Sequence, residues 1–364
     1  MVFLGGPRQV GKTILAFHLL GSTDTEHPAY LSWDDLSTRK LLLAGELPAQ
    51  QKLLIFDEIH KYKHWRNFIK GIFDKQRSKL KILVTGSARL DYYRRGGDSL
   101  QGRYHYYRLH PLTLDEIGSA QKGSISQLLT YGGFPEPFLK ADEIAYKRWQ
   151  KERKSRVLQE DLISLEQVRN VSHVELLLDI LPSRVSAPLS VSNLSNDLQV
   201  TFETAEKWIQ ILERLYFVYR IQPYGLTQLR AAKKERKLYL WDWSQCENEG
   251  ARFENFVASH LLKYCHFIED TQGEKMELRF LRDSMKREID FVILKNNKPL
   301  FAVECKTGEG NLSPNISYFS SRTPIPKFYQ VHLGNKNVEL TEYKARLLPF
   351  QSFIKELWEE DLTH

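Results

Sequence analysis

Eight residues constrain this chain more than any others: Gly6-Pro7-Arg8-Gln9-Val10-Gly11-Lys12-Thr13. Gly, four residues, then Gly-Lys-Ser/Thr is the spacing of a loop that wraps phosphate groups. Gly6 and Gly11 permit the sharp turns that bring backbone N–H groups against an anion. Pro7, Arg8, Gln9 and Val10 complete the cradle. Lys12 supplies a mobile charge for the outer phosphates, and the Thr13 hydroxyl takes one position on a Mg²⁺ ion. The run from Ile14 to Leu20 predicts a helix whose N-terminal dipole faces the anion. Val2-Phe3-Leu4 predicts the strand that feeds the loop. That strand is short, which leads us to expect that an upstream segment is missing.

A second signal follows at Leu53-Leu54-Ile55-Phe56-Asp57-Glu58. A continuous apolar run suits a strand covered on both faces of a parallel sheet, and its C-terminal end is where ligands bind in open α/β sheets. Asp57 is placed to hold the Mg²⁺ shell and Glu58 to polarise the attacking water. The run at 81–87 predicts a further strand ending in Thr85 and Ser87, which serve either as γ-phosphate sensors or as turn formers. Arg103 precedes the strand expected at 104–109. It reads equally as a trans-acting arginine on a neighbouring subunit's γ-phosphate or as a helix cap. Together the glycine loop and the acid pair predict a hydrolysing NTPase.

Length and charge set the frame for the rest. A chain of 364 residues accommodates two or three domains. No apolar run reaches the roughly 18 residues of a membrane span, and no signal peptide is legible. Three scattered cysteines fit neither a disulfide framework nor a cysteine zinc site, so a reducing cytoplasm is expected. Residues 1–140 hold 20 Lys+Arg against 13 Asp+Glu, while the remainder holds 32 of each. The basic excess belongs to the nucleotide half, where a polyanionic ligand accounts for it. DNA affinity stays open.

GPRQVGKT, LLIFDEIHK, LVTGSARL, SLQGRYHYYRLHPLTLDEI and YGGFPEP together resemble a widespread bacterial and archaeal group of AAA-type ATPases. In that group a domain of unknown function, often related to PD-(D/E)XK nucleases, follows the ATPase. The resemblance implies ATP, Mg²⁺ and a strand order of 5-1-4-3-2 in an α/β unit. It implies no settled cellular role.

Beyond the turn-rich break at 131–137, taken as a linker, a basic helix follows around Lys147, Arg148, Lys151, Arg153, Lys154 and Arg156. It reads as a solvated face, with a phosphate-contacting stripe as the lesser alternative. Residues 190–215 predict a helix-turn-helix, with Thr201 capping the second helix. Glu203 and Glu206 near that helix's start argue against duplex readout. A winged-helix-like structural or protein-contacting unit is the expectation, with DNA reading as the lesser alternative.

The last constellation spans 254–306. Strand 287–294, turn 295–298 and strand 299–306 predict a hairpin. Glu304 and Lys306 share one face of the returning strand, Asp290 comes from its partner, and Glu254 from an upstream helix. This is the order of a PD-(D/E)XK nuclease. Asp290 and Glu304 would ligate Mg²⁺, Glu254 would support a second ion, and Lys306 would activate water. The alternative is a relict fold whose acids only build salt bridges.

The expected domains are an AAA-type ATPase at 1–135, a helical linker and winged-helix-like domain at 136–240, and an α/β nuclease-like domain at 241–364. The leading reading is an ATP-driven switch or motor coupled to a nuclease-like domain, acting on DNA or a protein partner, with homo-oligomer assembly left open. An ATP-regulated endonuclease and a non-catalytic ATP-dependent scaffold are the alternatives.

Overall fold

A computed structural model of the chain describes residues 1–76, 80–86, 100, 102–117, 124–158, 171–225 and 236–362. By its contacts the chain forms two compact units. The first comprises Met1–Pro111 with Arg214–Tyr216, and the second Leu112–Glu213 with Phe217–His364.

In the first unit, strands β1 (Val2–Gly5), β2 (Tyr30–Ser32), β3 (Leu53–Asp57), β4 (Lys81–Thr85) and β5 (His105–Arg108) form one sheet in the order β2-β3-β4-β1-β5. Every pairing is parallel, and the order is the expected 5-1-4-3-2 read from the other edge. The central strands β1, β3 and β4 carry apolar runs on both faces because both faces are covered. Leu4, Ile55 and Leu83 pack with Ala16 of helix α1 (Lys12–Leu20). Phe3, Leu54, Phe56, Ile82 and Val84 pack with Trp65, Ile69 and Ile72 of helix α3 (Trp65–Gln76), which follows α2 (Leu36–Leu43). Each such buried side chain contributes on the order of 1.5–3 kcal/mol.

The second unit carries an eight-stranded mixed sheet. Its strands are β6 (Val218–Pro223), β7 (Lys237–Leu240), β8 (Met276–Arg282), β9 (Glu288–Lys295), β10 (Lys298–Lys306), β11 (Phe328–His332), β12 (Val338–Leu340) and β13 (Ala345–Pro349), in the order β12-β13-β11-β10-β9-β8-β6-β7. The β9–β10 hairpin turns through Asn296 and Asn297, both at positive φ (52° and 66°), as a two-residue turn between twisted strands requires. Helices Glu249–Gln272 and Phe350–Leu362 pack together through Phe253, Phe256 and Phe350. Helix Pro314–Ser320 places Ile316 and Phe319 in a cluster with Val292, Ala302 and Phe328.

Two sequence expectations look different in this unit. The turn at 131–137 is packed: Phe134 is fully buried and lies 4.3 Å from the Arg153 guanidinium. A Cβ at Gly132 would come 2.5 Å from Asp242 Oδ1, so this glycine serves a close approach. Arg153 is itself buried, which removes it from the solvated basic face. The helix-turn-helix is present as Val191–Asp197 and Phe202–Arg214, with Thr201 Oγ1 accepting from the Thr204 N–H at 3.2 Å. The strand pair β6–β7 follows it, and β6 pairs in parallel with β8. Glu206 and Glu213 bind the Arg220 guanidinium, each at 2.8 Å, so Glu206 is spent inside the protein.

His260, only 2% exposed, sits between Phe256 and Phe350. Its Nδ1 lies 2.8 Å from the Phe256 carbonyl, and Nε2 accepts from the Leu114 N–H at 3.0 Å. That arrangement needs a neutral ring, and burial pushes the imidazole down to about 4. An unfolded histidine titrates near 6.5, so the unfolded chain binds the proton first. The contribution is therefore complete above pH 6.5 and is lost as pH falls toward 4, by about 3 kcal/mol in all. Urea unfolding at pH 7.5 and pH 5 should show the loss in the wild type, and a folded His260→Gln protein should lack that share of it.

Candidate nucleotide site and carboxylate cluster

The loop after β1 is shaped by residues at positive φ: Gly6 (138°), Gln9 (62°) and Gly11 (101°). At Gly6 a Cβ would lie 2.3 Å from the Leu109 carbonyl oxygen, so only glycine fits. Helix α1 starts at Lys12 with Gly11 as its N-cap, leaving first-turn N–H groups for an anion. Pro7, Arg8 and Val10 lie within the loop, with Val10 buried. Lys12 is 9% exposed, and its Nζ donates to the Gly6 and Pro7 carbonyls at 3.0 and 2.6 Å. The ammonium is held at the loop.

Asp57 ends β3 and collects three hydroxyls. Thr13 Oγ1 donates to Oδ2 at 3.3 Å, Tyr30 OH to the same oxygen at 2.5 Å, and Thr85 Oγ1 to Oδ1 at 2.6 Å. Burial and then the Asp57 charge push the Tyr30 phenol well up, so it stays a donor. The expected sensor Thr85 is thus engaged by Asp57, and Ser87 lies outside the described residues. Thr13 and Asp57 form a neighbouring pair of hard oxygen donors, which fits Mg²⁺. Tyr30 was not legible as part of this site; only the β2–β3 register brings it there.

Glu58 follows Asp57 at φ 54°, a conformation that costs on the order of 1–3 kcal/mol for a non-glycine residue. Its Oε2 is 3.5 Å from both His60 Nε2 and Lys61 Nζ. Lys61 is shared with Asp34 at 2.5 Å. Arg103 Nε lies 3.0 Å from Asp74 Oδ1 of the same chain.

The second unit brings together all four residues expected from its sequence, and adds three. Lys306 Nζ is 2.9 Å from Glu304 Oε1, which also accepts from Ser313 Oγ at 3.0 Å. Asp290 Oδ2 accepts from the Cys305 N–H at 2.8 Å. The additions are Lys237, Tyr239 and Glu288. Lys237, fully buried, places Nζ 2.5 Å from Glu288 Oε1, 3.0 Å from Glu254 Oε1 and 3.7 Å from Asp290 Oδ1. Tyr239 OH donates to Glu254 at 2.7 Å. Burial alone would lower the Lys237 ammonium, but the carboxylates of Glu254, Asp290 and Glu288 hold it above the ordinary lysine range. Burial and Asp290 raise Glu304 to about 7.

One observation favours a bound ion: Glu304 Oε2 is buried and accepts no hydrogen bond among the described residues. Three oppose the expected ligand set. Glu254 is already bonded to Lys237 and Tyr239. The ammonium sits where an ion between Glu254 and Asp290 would. Among the described residues no group of three or more His, Cys, Asp and Glu side chains is placed to hold a metal. Glu254 and Asp290 therefore do not fit as joint ligands of one ion, because the Lys237 ammonium already lies against both.

An all-parallel sheet with the glycine loop after β1 and an acid pair closing β3 is the fold of P-loop ATPases. Residues 1–118 match the family model of an AAA domain. Beyond that match, residues 122–246 and 249–353 match two domains of unknown function, DUF8612 and DUF4143. An uncharacterized protein of Methanocaldococcus jannaschii is 23% identical over 373 residues, covering 93% of this chain and 81% of its own length. An uncharacterized protein of Mycobacterium tuberculosis is 24% identical over 248 residues, covering 66% of this chain. The aligned part is about half, 54%, of that relative's length. Among solved structures, the Aeropyrum pernix ORC1 protein in complex with DNA overlaps at TM-score 0.32 and 14% identity, covering 71% of this chain and 87% of its own. A variant of Thermotoga maritima RuvB overlaps at TM-score 0.29 and 19% identity, covering 60% of this chain and 81% of its own. Overlaps this loose add nothing to the assignment. Among the described residues no helix is long and apolar enough to cross a membrane.

Proposed function

We propose that the AAA-type unit binds ATP with Mg²⁺ and hydrolyses it, as a switch or motor for the second unit, which works on DNA or a protein partner. The observation that carries this reading is the pairing of Thr13 with Asp57 beside the glycine loop, with Glu58 next in chain. Lys12 and the first-turn N–H groups of α1 hold the phosphates. Thr13 and Asp57 hold Mg²⁺, which supplies charge neutralisation when bound. Glu58 accepts hydrogen bonding from the attacking water and polarises it.

For the second unit we favour a retained nuclease-like fold without cleavage, because Lys237 pairs with Glu254 and Asp290, two of the three carboxylates that a metal nuclease would use. The test combines the purified protein with ATP, Mg²⁺ and mixed single- and double-stranded DNA, following phosphate release and DNA length together. Phosphate release with DNA length unchanged is expected. Absence of phosphate release across nucleotide concentrations sinks the ATPase reading. DNA shortening that disappears in an Asp290→Ala, Glu304→Ala protein would instead establish the endonuclease alternative.

Arg103 we assign to a neighbouring copy's γ-phosphate. Its bond to Asp74 is no obstacle, since both side chains are a third or more exposed and such ion pairs are worth about 0–1 kcal/mol. Mixing Arg103→Ala with Lys12→Ala protein should restore hydrolysis that neither shows alone. Full activity of a monomer in ATP would rule that role out.

A further inference from the structure

The carboxylates of the second unit surround a cation that the chain itself provides. Lys237 comes from β7, outside the helix and hairpin that carry Glu254, Glu288 and Asp290. Its position is set by pairing of Ile221 with Lys237 in the β6–β7 ladder, and β6 in turn pairs with β8. Fully buried, the side chain ends among three carboxylate oxygens at 2.5, 3.0 and 3.7 Å. An ammonium has three hydrogens to donate; Glu288 and Glu254 stand at hydrogen-bond distance and Asp290 at ion-pair distance.

The rest of the cluster closes round this arrangement. Tyr239 OH donates to Glu254, Arg282 Nη1 lies 3.2 Å from Glu288 Oε2, and the Cys305 N–H bonds the second Asp290 oxygen. A divalent ion needs oxygens at about 2.0–2.6 Å, in the volume the ammonium fills. Ion and lysine exclude one another by size and by charge.

We propose that Lys237 stands in for a divalent cation, so that Glu254, Glu288 and Asp290 take up such an ion only when the ammonium is removed. This deepens the non-cleaving reading of the second unit and does not depend on ATP hydrolysis by the first. Lys237 then gives the carboxylates a permanent counter-charge, and the second unit folds without metal. Withdrawing it leaves three acids facing one another, a strong field for a hard cation.

The test uses full-length, nucleotide-free protein and Mn²⁺ alone, read by the loss of the free-ion signal in electron paramagnetic resonance. Wild type should show no Mn²⁺ binding that Asp290→Asn abolishes, and its melting temperature should be the same in EDTA and in Mn²⁺. Lys237→Met should bind Mn²⁺ at least about tenfold more tightly than wild type, and adding Asp290→Asn should cancel the gain. Asp290-dependent Mn²⁺ binding by wild type overturns the proposal, as does a folded Lys237→Met protein that gains none. Should Lys237→Met not fold, the wild-type measurements decide: indifference to Mn²⁺ and EDTA supports the lysine as resident cation, and Asp290-dependent uptake refutes it. DNA length in the earlier assay reports on cleavage separately.

Discussion

Lys12→Ala protein is expected to lose ATP hydrolysis and to bind ATP at least about a hundredfold more weakly. The Lys12 ammonium is buried at the loop and already bonded to two of its carbonyls, so it needs little reorganisation to turn to a phosphate. Charge-assisted hydrogen bonds contribute roughly 1.5–3 kcal/mol each, and 1.4 kcal/mol is a factor of ten in affinity. Losing two of them accounts for the size of the effect. Fluorescent-nucleotide titration and phosphate release check it, with a melting curve to show that the variant is folded. Wild-type hydrolysis by folded Lys12→Ala protein would falsify the phosphate-loop assignment.

Glu58→Gln should separate binding from chemistry. The amide keeps the shape of the carboxylate but cannot draw a proton from water, and loss of such a group typically slows a step by about 10²–10⁴. Affinity for ATP should stay within a few fold, because Asp57 and Thr13 keep their places at the end of β3 and the start of α1. Single-turnover phosphate release against nucleotide titration measures the two quantities. If affinity collapses along with rate, Glu58 holds the metal or the loop and is not the residue that polarises water.

How much of this was legible depended on whether the information was local. The glycine loop, the apolar run of β3 and the acid pair after it are contiguous, so their place in a parallel sheet followed from sequence. The β9–β10 hairpin was legible for the same reason, its Asn296-Asn297 turn lying between two strand-like runs. Tyr30 was missed because it reaches Asp57 only through the pairing of neighbouring strands. Lys237 was missed more completely, since β7 and β9 lie far apart in sequence and only the sheet order brings their side chains to one place. The Gly-rich turn at 131–137 looked like a linker because Gly and Pro mark breaks. Here Gly132 serves a close approach to Asp242, and Phe134 is core.

The path of β6 and β7 into the sheet bears on how this chain divides. A fragment starting at Glu249 would keep the helix and the hairpin but lose the strand beside β8 and the ammonium among the acids. Leaving a buried charge without its partner costs about 3–5 kcal/mol, a large share of the roughly 5–15 kcal/mol that holds a domain folded. The stretch that carries the helix-turn-helix therefore lends its neighbour both a strand and a charge. Neither can be inherited, transplanted or expressed alone without the other being rebuilt to replace what it lost.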